Sequence, residues 1–334
     1  MKICLLGEWN ENFDEGMRNV SSILFKQLSK KHTILPIDLR NLLTYAAFKE
    51  IKKFNPDIIH YIHGPTIRSF LVVKLISLYF TNSKLIMSAM RPILPYYHRP
   101  LVRLLKPDVI LTQSLTSEKM FKDLRITTVF FPSGVDLKKF YRISEDKRKD
   151  LKTQYNISTG KFVILHIGSI KEGRNLRQLI PLQDNETQVL IIGAGSQFDS
   201  QLFKDLTDAG CIVLTGYIQN IEKIYNCADC YVFPTIDKYD YFGRAMADSI
   251  EMPLTILEAM ACNLPVISSN FGAIPRVFRN KGGFFLFSTT EELISALKEI
   301  KKMRSINTRE MVISYSWENL TITLENIYAK CVKG

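Results

Sequence analysis

Short apolar runs bounded by turn residues alternate with stretches of helical periodicity along the whole chain. Alternation of this kind is typical of parallel sheets covered by helices. The segment Gly16 to Lys30 shows the helical pattern, because Val20, Leu24 and Leu28 fall on one face. Eleven strands are predicted, at residues 2–6, 33–37, 58–62, 84–88, 109–112, 128–131, 162–167, 188–192, 212–214, 230–233 and 266–268. The chain is predicted to end in a helix, Trp317 to Val332.

The length of 334 residues indicates two domains, since one domain is typically about 150 residues long. The polar and highly charged run Lys138 to Gly160 is interpreted as the linker, so the domains are placed at 1–150 and 151–316. In open parallel sheets, ligands bind at the carboxyl ends of the strands. Chemistry is therefore expected in a cleft between the two domains.

The chain is expected to be cytoplasmic. Its longest apolar run, Phe70 to Phe80, is interrupted by Lys74 and is shorter than the ~18 residues that a membrane span needs. Glu8 falls too early for a signal peptide. The six cysteines are scattered, and Cys227 and Cys230 have no second pair, so we interpret them as reduced core thiols and predict no metal site.

The net charge of +11 is carried by the first half of the sequence. Residues 1–150 contain 25 basic and 14 acidic side chains, whereas residues 151–334 contain 19 of each. Residues 51–106 contain nine basic side chains against one acid, Asp57, with aromatic residues between them. Such a face suits an anionic membrane surface or a phosphate-bearing substrate, and a solvated Lys-rich surface is the alternative. No nucleic-acid motif accompanies the charge, so no nucleic-acid partner is expected.

The most informative run is EMPLTILEAMACNLP, residues 251–265. It places Glu251 and Glu258 on either side of the first turn of a predicted helix that follows a polar loop. A helix start presents unpaired amides and the positive end of the dipole, which suits a phosphate, and the two carboxylates can accept hydroxyls of a sugar. Because its surroundings are apolar, Glu258 needs a partner, either a ligand hydroxyl or a backbone amide.

Two glycine-containing loops follow predicted strands of the second domain. In the first, Gly168 allows close approach of a ligand, and Lys171 and Arg174 offer cations for a diphosphate. An ordinary turn with solvated charges is the alternative. The second loop carries Gly193 and Gly195, a weak signal that tight packing of the turn explains equally well.

In the first domain, Gly16 precedes a predicted helix, where it would open the helix start to a phosphate with Arg18 as the charged partner. A glycine needed only for the turn is the alternative. His60 and His63 close a strand on opposite faces, and each is either a hydrogen-bonded structural residue or a base.

Together, these elements resemble the GT-B glycosyltransferases of family 4, the group 1 retaining transferases. The resemblance covers nearly the whole chain and is strongest from 162 to 290. It rests on PDIIHYIHGP (56–65), KPDVILTQS (106–114), FPSGVDLKKF (131–140), VILHIGSIKEGRNL (163–176), VLIIGAG (189–195), TGYIQNIEKIYNCADCYVFPT (215–235), LTILEAMACNLPVISSNFGAIPRV (254–277) and SWENL (316–320).

The resemblance implies an α/β fold of GT-B type, with two Rossmann-like parallel-sheet domains facing an interdomain cleft. The second domain is expected to hold a nucleotide-diphosphate sugar, and the basic first domain is expected to receive the acceptor. The final helix, 317–334, is expected to pack back on the first domain. Glu258 is expected to hold the donor ribose, the Leu254 and Thr255 amides to meet the diphosphate, and Arg174 to replace the family's phosphate-binding lysine.

The donor-binding residues predicted in this way are Gly16, Gly168, Ser169, Lys171, Arg174, Gly193, Gly195, Ile218, Leu254, Thr255 and Glu258. Arg18 and Arg99 are predicted to bind the acceptor.

Three positions depart from the family pattern. The first carboxylate of its Glu-x7-Glu motif would fall at Ile250, and Glu251 lies one residue later. Ser169 stands where the family has a phosphate-binding arginine. No histidine follows the fourth strand, so His63 or Arg91 is expected to substitute, and the predicted catalytic residues are Glu251, His63 and Arg91.

The function expected is transfer of a sugar from a UDP- or GDP-type donor to a lipid-linked or glycan acceptor hydroxyl, with retention and without a metal or cofactor. Residues 51–106 are expected to contact an anionic membrane peripherally. A nucleotide-sugar 2-epimerase and an inactive nucleotide-sugar binding protein of the same fold are the alternatives. The segment 237–249 is expected to act as a lid.

Overall fold

The computed structural model describes residues 1–334 except 10–15, 92–93, 194–197, 217, 248 and 334, and it omits the side chains of 16–19. The chain divides into two compact units. Unit 1 comprises Met1–Ser133, Tyr239–Met252 and Trp317–Gly334, and unit 2 comprises Gly134–Lys238 and Pro253–Ser316. This division places 134–150 with the second unit and 239–252 with the first, so it differs from a single boundary at residue 150.

Unit 1 contains a sheet of six parallel strands in the order β2-β1-β3-β4-β5-β6. Its strands are β1 Lys2–Gly7, β2 Thr33–Asp38, β3 Ile58–Gly64, β4 Lys84–Ala89, β5 Val109–Thr112 and β6 Thr128–Phe130. Its helices are α1 Gly16–Leu28, α2 Tyr45–Phe54, α3 Ile67–Tyr79, α4 Arg99–Leu104, α5 Leu115–Asp123 and α13 Trp317–Lys333.

Unit 2 contains a second sheet of six parallel strands in the order β12-β11-β10-β7-β8-β9. Its strands are β7 Phe162–Gly168, β8 Thr187–Gly193, β9 Ile212–Thr215, β10 Cys230–Phe233, β11 Val266–Ser269 and β12 Phe284–Phe287. Its helices are α6 Glu145–Gln154, α7 Ser200–Asp208, α8 Ile221–Cys227, α9 Leu254–Ala261, α10 Ile274–Val277, α11 Thr290–Ile300 and α12 Thr308–Val312.

The fold class predicted from the sequence, an α/β fold with two Rossmann-like parallel-sheet domains, is confirmed. All eleven predicted strands form, and their ends agree to within two residues. Strands covered on both faces are continuous apolar runs, which is why the pattern located them. The prediction missed β12, since a run of four apolar residues cannot be distinguished from a piece of helix by periodicity.

Helix α6 lies within 138–160, the segment that was interpreted as the linker. Arg148 and Lys152 on this helix are buried, and their cationic groups lie 2.8 and 2.9 Å from the carboxylate of Asp229. The Arg148 guanidinium also donates to the backbone carbonyls of Asn226 and Ala228. A polar sequence therefore packs here because partners from a distant segment neutralise its charges.

The two faces of the unit 1 sheet are covered by different helices. Helices α2 to α5 contribute buried side chains to one apolar core, and α1 packs against α13. Buried His60 connects α13 to the sheet, because its Nδ1 lies 2.7 Å from the Tyr328 hydroxyl and its Nε2 lies 2.8 Å from Ser88 Oγ. Burial lowers the pKa of His60 to about 3, so the ring is neutral. His60 is therefore a hydrogen-bonded structural residue.

The segment 239–252 is held to unit 1 by backbone hydrogen bonds. The Glu251 amide donates to Met90 O at 2.8 Å, and the Met252 amide donates to Gln113 Oε1 at 3.0 Å. The Tyr96 amide donates to Phe242 O at 3.2 Å. These bonds fix part of the segment that the sequence suggested as a lid.

Of the six cysteines, five are buried, and all six are free thiols. Burial raises the pKa of Cys227 to about 11 and raises that of Cys230 further, in agreement with the interpretation of this pair as core residues. Within the described residues, no helix has the length and apolar character that crossing a membrane requires.

Candidate functional site

Two of the predicted donor-binding glycines, Gly168 and Gly193, lie at the carboxyl edge of the unit 2 sheet. Gly168 at the end of β7 is the register partner of Gly193 at the end of β8, and Gly193 is in turn the partner of Thr215 on β9. Ile218 lies in the loop that follows β9. The strand order thus brings the three predicted loops to one edge, although Gly195 falls outside the described residues.

Gly193 is required by packing. A Cβ at this position would lie 2.7 Å from Ile170 Cδ1, so a larger residue would displace the buried Ile170 side chain. The alternative of a tightly packed turn therefore accounts for this glycine.

The loop after β7 is fastened to the end of β10. Asn175, in the left-handed region with φ 58°, donates from Nδ2 to Pro234 O at 3.1 Å. The Thr235 hydroxyl lies 3.5 Å from the carbonyl of Arg174. These contacts fix the backbone on which Arg174 stands half-buried, whereas Lys171 is exposed. The two predicted cations therefore differ in how firmly they are positioned.

Helix α9 begins without a side-chain cap. Its N-cap residue is Pro253, and no acidic residue occupies the first turn. The first amides of a helix have no partner within it, so this start presents donors and the positive end of the dipole. Leu254 and Thr255 supply amides there, and the Thr255 hydroxyl accepts a hydrogen bond of 2.7 Å from Tyr231.

Glu258 stands one turn further along α9 and is half-buried. The Tyr225 hydroxyl donates to its Oε2 at 2.7 Å, so the protein partner is a phenol rather than a backbone amide. Burial raises the pKa of Glu258, and the Tyr225 hydrogen bond partly opposes this shift. The carboxylate can accept further hydrogen bonds, because only this one is made to it within the described part of the chain.

The buried phenol of Tyr231 donates to the Thr255 hydroxyl, and its ring centroid lies 6.1 Å from that of Tyr225, which donates to Glu258. Burial raises the pKa of Tyr231, the hydrogen bond to Thr255 lowers it, and the charges of Glu258 and Arg174 shift it in opposite directions. The structure therefore groups a cation, a helix start and a carboxylate at one place in unit 2.

His166 is a member of this region that the sequence argument missed. It is 1% exposed, and its Nδ1 lies 2.9 Å from Val232 O, so Nδ1 carries the proton and Nε2 is an acceptor. Neither Nε2 nor the buried Ser169 Oγ has a hydrogen-bond partner among the described residues. Burial lowers the pKa of His166 to about 4. The only available signal was a lone histidine in an apolar strand.

His63 and Arg91, two of the predicted catalytic residues, line one cavity of unit 1. The cavity has a volume of about 250 Å³. His63 is buried, and its Nε2 lies 3.2 Å from Ser21 Oγ. Tyr61 and His63 both line the cavity, as the alternation along β3 predicts for residues on the face opposite His60.

Glu251, the third residue that was predicted to be catalytic, belongs to unit 1. Glu251 is 2% exposed, and its carboxylate accepts from the Ser114 amide at 3.1 Å, from the Ser114 hydroxyl at 2.8 Å and from the Ser117 hydroxyl. Ser114 is the N-cap of α5, where a carboxylate is stabilised by the helix dipole. Both carboxylate oxygens are thus engaged within unit 1, where Glu251 supports the start of α5.

Three further predicted residues lie in unit 1. Gly16 is the first residue of α1, and Arg18 is on the same helix, with its side chain outside the described part. Arg99 begins α4 and stacks on Tyr96, with its guanidinium carbon 4.4 Å from the ring centroid. Among the described residues, no group of three or more His, Cys, Asp or Glu side chains is placed to hold a metal ion.

Comparison with known proteins adds a family match for unit 2. Residues 161–302, which include the loop after β7 and all of α9, match the family model described as "Glycosyl transferases group 1". An uncharacterized glycosyltransferase of Methanocaldococcus jannaschii is 27% identical over 280 residues, 76% of this chain and 65% of that protein. The O-antigen chain mannosyltransferase B of Escherichia coli is 27% identical over 184 residues, 49% of this chain and 45% of that protein.

The chain thus spans just under two thirds of the first of these relatives and less than half of the second. Among solved structures, Anabaena HepE in complex with UDP and glucose aligns with a TM-score of 0.75 at 15% identity, covering 99% of this chain and 100% of that one. The same protein has also been solved in complex with UDP-glucose. The family model and the relatives agree on one class of enzyme, the glycosyltransferases.

Proposed function

We propose that this protein is a glycosyltransferase that moves a sugar from a nucleotide-diphosphate donor of UDP or GDP type to an acceptor hydroxyl. The observation that carries the proposal is the pair of hydrogen bonds that hold Thr255 and Glu258 to the neighbouring phenols of Tyr231 and Tyr225, in the part of the chain that matches group 1 glycosyl transferases. The structural neighbour HepE has been solved with UDP and glucose and with UDP-glucose, which supports a nucleotide-diphosphate sugar as the donor.

In this proposal, unit 2 binds the donor. The amides of Leu254 and Thr255 receive the diphosphate at the uncapped start of α9. Arg174, aided by exposed Lys171, stabilises the negative charge that develops on the leaving diphosphate, which is the task of preorganised donors and cations in such transfers. Glu258 accepts hydrogen bonds from the ribose hydroxyls with the oxygen that Tyr225 does not use.

Unit 1 receives the acceptor, a lipid-linked or glycan molecule, and the sugar is transferred with retention of its anomeric configuration, as in the group 1 retaining transferases that the sequence resembles. His63 and Arg91 take the positions closest to the reacting acceptor, because both line the unit 1 cavity. Arg18 and Arg99 remain proposed acceptor contacts. No metal or cofactor is proposed for the reaction.

A peripheral membrane contact through residues 51–106 also belongs to the proposal. Helix α3 exposes Leu71, Leu75 and Leu78, which share one face at i, i+4 and i+7 spacing. Their exposed fractions are 49%, 38% and 65%, and Lys74 is on the same helix. An apolar helix face flanked by basic residues is suited to an anionic lipid surface.

A thermal-shift panel tests the donor class. Full-length protein is heated with UDP, GDP, ADP and their sugars, and the ligand bound by the folded state raises the melting temperature by mass action. The matched variants are Arg174→Gln in the site and Arg304→Gln, an exposed arginine elsewhere in unit 2. We expect Arg174→Gln, but not Arg304→Gln, to reduce the shift, and equal shifts in both variants would contradict the proposed site.

Turnover separates transfer from the alternatives. Sugar that is released from UDP only when an acceptor is added supports a transferase. A donor that rearranges without any acceptor would identify an epimerase, and binding without turnover under any acceptor would identify a binding protein.

A further inference from the structure

The cavity in unit 1 is a polar site at the carboxyl ends of two neighbouring strands. Glu8 follows β1, while Tyr61 and His63 are on β3. A volume of about 250 Å³ exceeds that of a few water molecules, each of which occupies about 30 Å³ in the liquid. The lining residues are Glu8, Leu39, Arg40, Leu42, Leu43, Tyr61, His63, Thr66, Arg68, Val72 and Arg91.

The charged groups of this lining are mainly positive. Three arginines face one carboxylate, Glu8. Arg40 is already committed, because its guanidinium donates to both carboxylate oxygens of Asp38 at 2.9 and 2.8 Å. The Arg40 hydrogen bond is the main reason that the pKa of Asp38 falls to about 2. The other two arginines of the lining, Arg68 and Arg91, take no part in the ion pair of Arg40 with Asp38.

Arg68 and Arg91 differ from Arg40 in their surroundings. Neither side chain forms an ion pair or a hydrogen bond with any residue in the described part of the chain. Arg68 lies close enough to Tyr61 that its charge lowers the pKa of this phenol, against the larger effect of burial, which raises it. Both arginines line the cavity, Arg68 with an exposed side chain and Arg91 with a half-buried one.

We propose that this cavity binds an oxyanion group of the acceptor, a phosphate or a carboxylate, through Arg68 and Arg91. The proposal rests on the proposed transferase function, of which it specifies the acceptor class. A guanidinium presents a planar fork of donors that matches a carboxylate or phosphate in a bidentate manner. A neutral saccharide would leave the guanidinium groups of Arg68 and Arg91 without a negatively charged partner.

The test measures anion binding to the full-length protein by calorimetric titration at constant ionic strength. The probes are inorganic phosphate and malate, with chloride as the background anion. Variants Arg68→Gln and Arg91→Gln are compared with Arg103→Gln, an exposed unit 1 arginine that does not line the cavity. We expect binding to weaken about tenfold or more in the first two variants and to stay unchanged in Arg103→Gln. Tighter binding of phosphate than of malate, or the reverse, decides which oxyanion the site accepts.

Phosphate could also enter the donor site, so Arg174→Gln is titrated in parallel. Binding that is lost in Arg174→Gln but kept in Arg68→Gln and Arg91→Gln would overturn the inference, because the anion would then occupy unit 2. Equal binding by all variants would overturn it as well. Arg68→Lys keeps the charge without the fork and should restore only part of the affinity.

UDP and GDP are titrated into the same samples to separate this inference from the proposed function. If UDP binds and neither anion does, the proposed oxyanion-bearing acceptor is wrong, whereas the proposed donor site is supported. If the anions bind through Arg68 and Arg91 but UDP and GDP do not bind, the transferase proposal fails and an oxyanion site without that function remains.

Discussion

Glu251 and Glu258 stand seven residues apart in the sequence, yet they belong to different units and have different surroundings. Glu251 in unit 1 is 2% exposed and accepts hydrogen bonds from Ser114 and Ser117, whereas Glu258 in unit 2 is half-buried and accepts one from Tyr225. The first carboxylate is fully engaged by the protein, and the second keeps acceptor capacity for a ligand. Two similar residues in one motif can thus serve structure and binding separately.

The two units also differ in charge, although less than the two halves of the sequence do. Unit 1 contains 22 basic and 15 acidic side chains, and unit 2 contains 22 and 18. The difference shrinks because the charged segment 134–150 belongs to unit 2 and the acidic segment 239–252 belongs to unit 1. What distinguishes unit 1 is therefore the local cluster in 51–106 and not its total charge.

The largest expected effect is that of Glu251→Ala on stability. The substitution leaves the Ser114 amide and two hydroxyls buried without their acceptor, and each lost partner costs about 1 to 3 kcal/mol. We expect the free energy of unfolding of unit 1 to fall by about 3 kcal/mol or more, measured by urea denaturation.

Glu50→Ala, at an exposed glutamate of α2, is the control and should change stability by less than about 0.5 kcal/mol. Similar urea midpoints for the two variants would refute the supporting role of Glu251. The affinity for UDP is measured with Glu251→Gln, because this variant retains an acceptor oxygen for the Ser114 and Ser117 donors. We expect this affinity to remain that of the unmodified protein.

The second effect is that of Glu258→Ala on donor affinity. Ribose hydroxyls lose a charged hydrogen-bond partner, which is worth roughly 1.5 to 3 kcal/mol, so the Kd for UDP should rise by about tenfold or more. Calorimetric titration measures the change. Glu299→Ala, an exposed glutamate on α11, is the matched control. An unchanged Kd in Glu258→Ala would remove Glu258 from the donor site.

The sequence alone located the strands and α9, because apolar runs and turn residues are local signals. It could not locate the partners of Glu251, since Ser114 lies 137 residues away and the contact depends on how the fold brings 239–252 to α5. The same limit explains α6, whose buried Arg148 and Lys152 are neutralised by Asp229 about 80 residues later. A run of charged residues predicts a solvent-exposed segment only where no residue distant in the sequence pairs with those charges.

The two units carry buried histidines that differ in the same way as the two glutamates. Both ring nitrogens of His60 are hydrogen-bonded, whereas Nε2 of His166 has no partner among the described residues. The third prediction concerns pH. Burial lowers the pKa of His60 to about 3 and that of His166 to about 4, below the unfolded value of 6.5.

The unfolded chain therefore binds protons that the folded chain does not, so this stability is present above pH 6.5 and is lost as the pH falls through that value toward 3 and 4. Each histidine contributes a slope of at most about 1.4 kcal/mol per pH unit. We expect His60→Gln and His166→Gln each to flatten the dependence of unfolding free energy on pH between 6.5 and 4. Imidazole resonances of His166, but not of His60, should shift when UDP binds, and the opposite pattern would place the donor near unit 1.

The smallest expected effect concerns the basic helix face of unit 1. In sedimentation with vesicles of anionic lipid, Lys74→Gln should weaken binding by roughly fivefold, since one basic residue near an anionic surface contributes about 1 kcal/mol. Leu78→Ser should weaken it as well, because Leu78 is 65% exposed on α3. Ile322→Ser, at an exposed residue of α13 outside 51–106, is the control. Binding should decline as the salt concentration rises, because exposed charges are screened. Capture by neutral vesicles to the same extent would show that the charge cluster of unit 1 does not direct the protein to membranes.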